Sequence, residues 1–262
     1  ERWSAAMALY NLAIALVEDG TVRAYRLSDL YARRGHVELQ FLSNPAAAAS
    51  SYTKVVEIEP ENDTAMKYIE SIYSQLEDWP RLIEAYEQQA KLARDPDRRV
   101  ESYRRAARVA MSRCSDNEKA AKLYELVLEV DTGDSEALDN LEQFATETRD
   151  WNKLVEVLRK RLESAPAGDT ATTLLKRIAK ICEERLRDEE RAITYYQRIL
   201  EIAPGHRRAL ESLGRIYEST ERWADFVEVT RRQIKVTTDR DHKALLYFKC
   251  GSVMEAKFGE ED

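Results

Sequence analysis

Six arginines crowd one short stretch of this chain, Arg98, Arg99, Arg104, Arg105, Arg108 and Arg113, with only Asp97 and Glu101 to balance them between positions 97 and 113. Guanidinium groups repeated along a helix can grip carboxylates through paired hydrogen bonds. Each charge-assisted contact of this kind is worth about 1.5–3 kcal/mol once water is excluded. The whole chain carries a formal net charge of −7, so such a stretch stands out from its surroundings and would attract an acidic segment. A basic register also recurs four times, at Arg33, Arg105, Arg177 and Lys249. Residues that recur with a repeat serve the repeat, so ties between helices explain this register better than ligand contacts do.

Other chemistries find little footing. His36, His206 and His242 lie far apart with no HExxH pair, so no metal site is expected. Cys114, Cys182 and Cys250 show no CxxC spacing and read as buried, reduced thiols. Eight glycines, mostly in turns, leave no phosphate loop and no GxSxG elbow. Neither catalysis nor a cofactor is expected. An acidic isoelectric point near 5.3 and the lack of interleaved basic and aromatic residues argue against nucleic acid. No apolar run approaches the roughly 20 residues that span a bilayer.

The elements that must position the arginines repeat. Trp79, Trp151 and Trp223 are evenly spaced, and a shift by that same interval superposes Ala48, Ala120 and Ala192, then Tyr52, Tyr124 and Tyr196, then Glu57, Glu129 and Glu201. Ala65, Ala137 and Ala209 follow, as do Glu84, Glu156 and Glu228, all without an insertion. Within Ala48 to Glu57, Ala65 to Tyr73 and Trp79 to Ala90 the apolar residues fall at spacings of three and four, the helical period. Short breaks separate them, including Glu-Pro-Glu-Asn at 59–62 and Arg-Asp-Pro-Asp at 94–97. The chain therefore reads as all-α, with four helices in each repeating unit. Its 34% of charged residues suits short amphipathic helices with much solvated surface.

Half of the unit, about 36 residues, is similar in length to a known helical-hairpin repeat. Ala48-x3-Tyr52-x2-Val55-x4-Pro60 resembles the second helix of a tetratricopeptide (TPR) repeat, Ala192-x3-Tyr196-x2-Ile199-x4-Pro204 matches again, and Ala120-x3-Tyr124-x2-Val127 matches without the proline. Met66-x2-Ile69-x3-Tyr73 and Leu210-x2-Leu213-Gly214-x2-Tyr217 look like the first helix of the next repeat. The hairpins that carry the tryptophans depart from the pattern, lacking its small residue and its closing proline. The resemblance implies a right-handed α-solenoid, a superhelix of about seven TPR-like hairpins in which each buries its apolar face only against its neighbours. Residues 1–262 are expected to form a single solenoid with units at about 1–44, 45–116, 117–188 and 189–262. Glu1-Arg2-Trp3 is similar to Glu221-Arg222-Trp223, and Glu260-Glu261-Asp262 falls in register with Asp188-Glu189-Glu190, so a fragment of a longer array is expected. A cytoplasmic setting is the default expectation.

In the resembling family the first helices line a concave surface. Mapped through Ala107 and Ala179, the ligand-facing positions are Arg104 and Arg108, then Lys176 and Lys180, with Ala32 and His36 before them and Phe248 and Ser252 after. Arg105 and Arg215 complete the candidate partner-binding set. The expected function is a protein-interaction scaffold that holds a protein or peptide, with an acidic segment as the favoured ligand. No asparagine occupies the clamp positions, unlike the family's carboxylate clamps. Two alternatives stand beside it: a docking or regulatory part of a larger enzyme or secretion complex, and an RNA-processing scaffold of the half-a-TPR type. Oligomeric state is open.

Overall fold

The computed structural model describes residues 2–259. The Glu260-Glu261-Asp262 register and Glu1 lie outside the described residues. Fourteen α-helices and no strand occur among the described residues, so the all-α expectation holds. In order they are α1 (Arg2–Glu18), α2 (Leu27–Gln40), α3 (Pro45–Ile58), α4 (Asp63–Gln75), α5 (Trp79–Leu92), α6 (Pro96–Arg113) and α7 (Asn117–Val130). They continue with α8 (Ser135–Glu147), α9 (Trp151–Ser164), α10 (Asp169–Ile181), α11 (Glu189–Ile202), α12 (Arg207–Ser219), α13 (Trp223–Val236) and α14 (Arg240–Phe258). A single π-helical turn, Cys182–Leu186, extends α10. No helix among the described residues is long and apolar enough to cross a membrane.

The chain forms two compact units, Glu1–Phe144 and Ala145–Asp262. In the first, α1 packs on α2, α2 on α3, and so on to α7; in the second, α10, α11, α12, α13 and α14 follow the same rule. Packing chiefly between chain neighbours, with α3 also touching α5, is the solenoid arrangement, and it follows from the short helices, none of which can cover its own apolar stripe. Tyr52, Val55, Ile69 and Tyr124 fill the first unit's interior, and Leu158, Ile178, Ile199 and Leu213 the second's. Ala48, Ala107, Ala179 and Ala192 are fully buried and Ala120 nearly so, small residues at repeated positions of the helix packing. Gly35 stands in register with Ala107 and Ala179, and a methyl added there would lie 3.1 Å from the Tyr52 ring and 3.2 Å from the Ser51 Cβ.

The turn inside each hairpin repeats at the backbone even where the side chains do not. Ser43, Ser115 and Arg187, and likewise Glu77, Arg149 and Glu221, all adopt positive φ between 48° and 57°. The left-handed residue reverses the chain so that the next residue's N–H reaches back to the helix just ended, as in Asp78 N–H to Tyr73 O and Asp188 N–H to Cys182 O, each 2.9 Å. The side chain of that same residue then caps the following helix. Asn44 accepts from the Ala47 N–H at 3.1 Å, Asp116 from Lys119 at 2.8 Å and Asp150 from Lys153 at 3.0 Å. One residue thus satisfies a carbonyl acceptor of the helix before the turn and an N–H donor of the helix after it.

Left-handed backbone disfavours any residue with a Cβ by about 1–2 kcal/mol. Replacing exposed Ser115 by Gly is therefore expected to raise the urea midpoint, by about 0.5–1 kcal/mol after glycine's greater freedom in the unfolded chain is subtracted. Ser115→Val is expected to lower stability, and Asp116→Ala to cost about 1 kcal/mol through the lost cap. A glycine variant less stable than the wild type would contradict this account of the turn.

Candidate peptide-binding groove

The arginines of α6 are each taken up within the chain. On one side, Arg98 meets Asp63 at 2.6 Å and Arg105 meets Glu70 at 2.9 Å, both acids on α4. On the other, Arg104 bonds the Asp134 carboxylate, and Arg108 makes a two-pronged contact with Glu136 at 2.7 and 2.5 Å. Arg99 donates to the Ala93 carbonyl at 3.1 Å, and the Arg113 guanidinium lies 5.0 Å from the centre of the Trp79 ring. A basic helix is held between acidic neighbours, and the pairs tie successive hairpins together.

Burial makes two of these ties consequential. The Asp134 side chain is wholly buried, accepts from the Ala137 N–H at 2.7 Å as the residue before α8, and is paired with Arg104. Glu136 accepts from Arg108 and also from the Tyr124 hydroxyl at 3.1 Å. The Arg108 contact holds the Glu136 carboxyl below its usual range, while burial and then the Glu136 charge push the Tyr124 hydroxyl up. Arg104, Arg105 and Arg108 belong to the first unit; Lys176, Lys180 and Arg215 belong to the second.

The second unit contains an open cavity of about 600 Å³ between α10, α12 and α14. Its apolar floor includes Tyr196, Phe226 and the buried Leu246, supplied by helices 11, 13 and 14. Lys176, Lys180 and Arg215 all line it, so three of the expected residues do meet in one place. Lys180 stands 3.8 Å from Glu184, Arg215 3.2 Å from Glu183, and Lys249 3.5 Å from Glu218. Lys176 and Arg208 have no carboxylate partner among the described residues. His206 and His242 line the same cavity.

His206 also begins α12, its Nδ1 accepting the Ala209 N–H at 3.2 Å. That bond requires the neutral imidazole. Burial, and after it the Lys176 charge, lower the His206 pKa from 6.5. Arg208, His206 and His242 escape a reading based on repeated positions alone, because they arrive at the cavity from the start of a helix and from the neighbouring repeat. Cys182 and Cys250 are buried as expected, whereas Cys114 is exposed because it falls past the buried stripe at the end of α6.

A second set of contacts recurs at the edges. Arg113 covers Trp79, Arg185 covers Trp151 at 5.2 Å and Lys257 covers Trp223 at 5.0 Å. These three cations keep the same interval as the tryptophans, so the spacing was available in the sequence although the pairing was not. The tryptophan at the start of one helix is capped by a cation from the end of the next, a contact worth about 0.5–1 kcal/mol at a half-exposed ring.

A stack of short antiparallel helices, each packed on its chain neighbours, defines a helical-repeat protein. Tetratricopeptide-repeat family models match residues 65–100, 209–244 and 177–206, so these stretches of the chain are similar to tetratricopeptide repeats. No match was found among curated proteins. Among solved structures, the C-terminal part of a TPR repeat-containing protein from Cytophaga hutchinsonii is 15% identical, with 97% of this chain and 95% of that chain covered and a TM-score of 0.36. The TPR2AB domain of yeast Sti1 in its pHSP90 complex is 13% identical, covering 86% and 98%, with a TM-score of 0.34. YrrB, described as a TPR protein with an unusual peptide-binding site, is 16% identical, covering 78% and 99%, with a TM-score of 0.33.

Two measurements separate structural cations from free ones. Arg104→Ala leaves the buried Asp134 carboxylate without its cation and is expected to cost about 2–3 kcal/mol in urea unfolding. Lys180→Ala, at an exposed pair 3.8 Å apart, is expected to stay within about 0.5 kcal/mol of wild type. For pH, the unfolded chain takes up the His206 proton before the folded chain does. Stability is therefore expected to be greatest above pH 6.5, to fall as pH drops through 6.5 toward the lowered folded value, and to level off below it. His206→Asn keeps a capping acceptor without a titration and should remove that slope from the unfolding curve.

Proposed function

We propose that this chain is a protein-interaction scaffold whose second unit holds an extended acidic segment of a partner across α10, α12 and α14. The observation that carries the reading is the cavity itself: an apolar floor beneath Lys176 and Arg208, two cations left without carboxylates, with His206 and His242 beside them. Unpaired cations over an apolar floor suit a ligand that brings both carboxylates and hydrophobic side chains. Lys180 and Arg215 are already near acids, so they would exchange partners rather than gain them. In the first unit, Arg104, Arg105 and Arg108 act as ties between α4, α6 and α8.

The test is fluorescence anisotropy with a labelled peptide rich in Asp and Glu and carrying one Leu or Phe, against a Lys-rich peptide of equal length. Lys176→Glu with Arg208→Glu is expected to weaken acidic-peptide binding by about tenfold or more, the loss of at least one charge-assisted contact. Higher salt should weaken the wild type in the same direction. Equal binding by the wild type and the folded double variant, or a preference for the Lys-rich peptide, would overturn the assignment.

A further inference from the structure

The cavity of the second unit has a counterpart one interval earlier, and the two differ at residues that carry charge. Lys176 and Lys180 hold the registers of Arg104 and Arg108, and Tyr196 that of Tyr124. His206 and Arg208, however, stand where the first unit has Asp134 and Glu136. There the two carboxylates answer the two guanidiniums, Asp134 taking Arg104 and Glu136 taking Arg108. In the second unit both acids are gone and a further cation has arrived. New acids stand at Glu183 and Glu184, in the registers of Met111 and Ser112. Glu183 accepts from the Tyr196 hydroxyl at 2.7 Å and faces Arg215 at 3.2 Å, and Glu184 faces Lys180. The other acids on the cavity, Glu211 and Glu218, pair with Arg207 and Lys249. Two positive charges, on Lys176 and Arg208, are left without a carboxylate among the described residues.

Both open charges act on one imidazole. Burial first, and then Lys176 and Arg208, lower the His206 pKa. Its Nδ1 accepts the Ala209 N–H, so the neutral ring carries its proton on Nε2 and keeps a donor there. An ammonium, a guanidinium and an N–H around one place suit a single group with about two negative charges and three acceptor oxygens, which is a phosphate monoester. A carboxylate has one charge, and two carboxylates brought to the same place repel.

Resting on the proposal that this cavity holds a partner's acidic segment, we infer that the anion it is built for is a phosphoryl group, on a phosphoserine or phosphothreonine of that segment, held by Lys176, Arg208 and the His206 Nε2–H. The cavity, about 600 Å³, continues past such a group over Tyr196 and Phe226, apolar surface for the residue beside it. These residues lie on or beside α10, α11, α12 and α13, each packed between two chain neighbours.

The test is fluorescence anisotropy at about pH 7.5, above the second phosphate pKa, with one labelled peptide rich in Asp and Glu that carries Ser, phosphoserine or Glu at its centre. The phosphopeptide is expected to bind about tenfold or more tighter than the Glu form, the equivalent of one further charge-assisted contact. His206→Asp with Arg208→Glu installs the pair found at Asp134 and Glu136: it keeps a capping acceptor and gives Lys176 and Lys180 carboxylates. That variant is expected to unfold at no lower urea concentration than the wild type and to lose phosphopeptide binding about a hundredfold. Should it fail to fold, Lys176→Gln with Arg208→Gln carries the same expectation for binding. A Glu form that binds as tightly as the phosphopeptide, or a folded variant that still prefers the phosphopeptide, would overturn the phosphoryl assignment and leave the acidic-segment reading standing. If none of the three peptides binds, both fall. Inorganic phosphate that competes at the peptide's own concentration would overturn the peptide as the source of the group, as would a single-stranded RNA that binds more tightly than the phosphopeptide.

Discussion

Close approach between helix backbones is the condition on which everything else in these units rests. Where Ala48, Ala107, Ala120, Ala179 and Ala192 are buried, their small side chains let the tyrosines and branched residues around them interlock. The margin at Gly35 is 3.1 Å to the Tyr52 ring, so even one more methyl would press on a packed aromatic side chain. Each such contact joins only two neighbours in sequence. Stability accumulates along the chain, and every outer face of the stack stays available.

Turns hold this spacing constant. A left-handed residue followed by Asn or Asp closes one helix and opens the next within two positions, and the same geometry appears with Ser, Glu or Arg in the left-handed place. The backbone requirement is fixed by the need to satisfy a carbonyl on one side and an N–H on the other, whereas the exposed side chain is free to vary. Arg222 is the exception, with no side-chain cap; it stacks 5.0 Å from the Tyr217 ring and pairs with Asp225 at 2.8 Å.

Charge is then divided into two kinds. In the first unit Arg98, Arg104, Arg105 and Arg108 are committed to carboxylates of neighbouring hairpins, and the pair at Asp134 is committed by burial. In the second unit the acids near the cavity are also engaged, by Lys180, Arg215 and Lys249, and what is left over is Lys176 and Arg208. The excess is small in number but concentrated at the start of α12, where the helix dipole adds to it and two imidazoles stand beside it.

The sequence by itself determined the helices, their order and their spacing, because helical periodicity, capping residues and turn residues act over a few positions and recur at one fixed interval. Tyr52, Tyr124 and Tyr196 are buried for that reason, and α3, α4 and α5 enclose the segments that periodicity marks. It also marked six basic residues, three of which, Lys176, Lys180 and Arg215, do line one cavity. Only the tertiary structure decided which cations are spent. Arg104 faces Asp134 on the far side of α7 and Arg108 faces Glu136, while Arg208 and His206 reach the cavity from the next repeat. A carboxylate's effect on a guanidinium depends on distance and burial between neighbouring hairpins, and neither quantity is written in the spacing of residues along the chain.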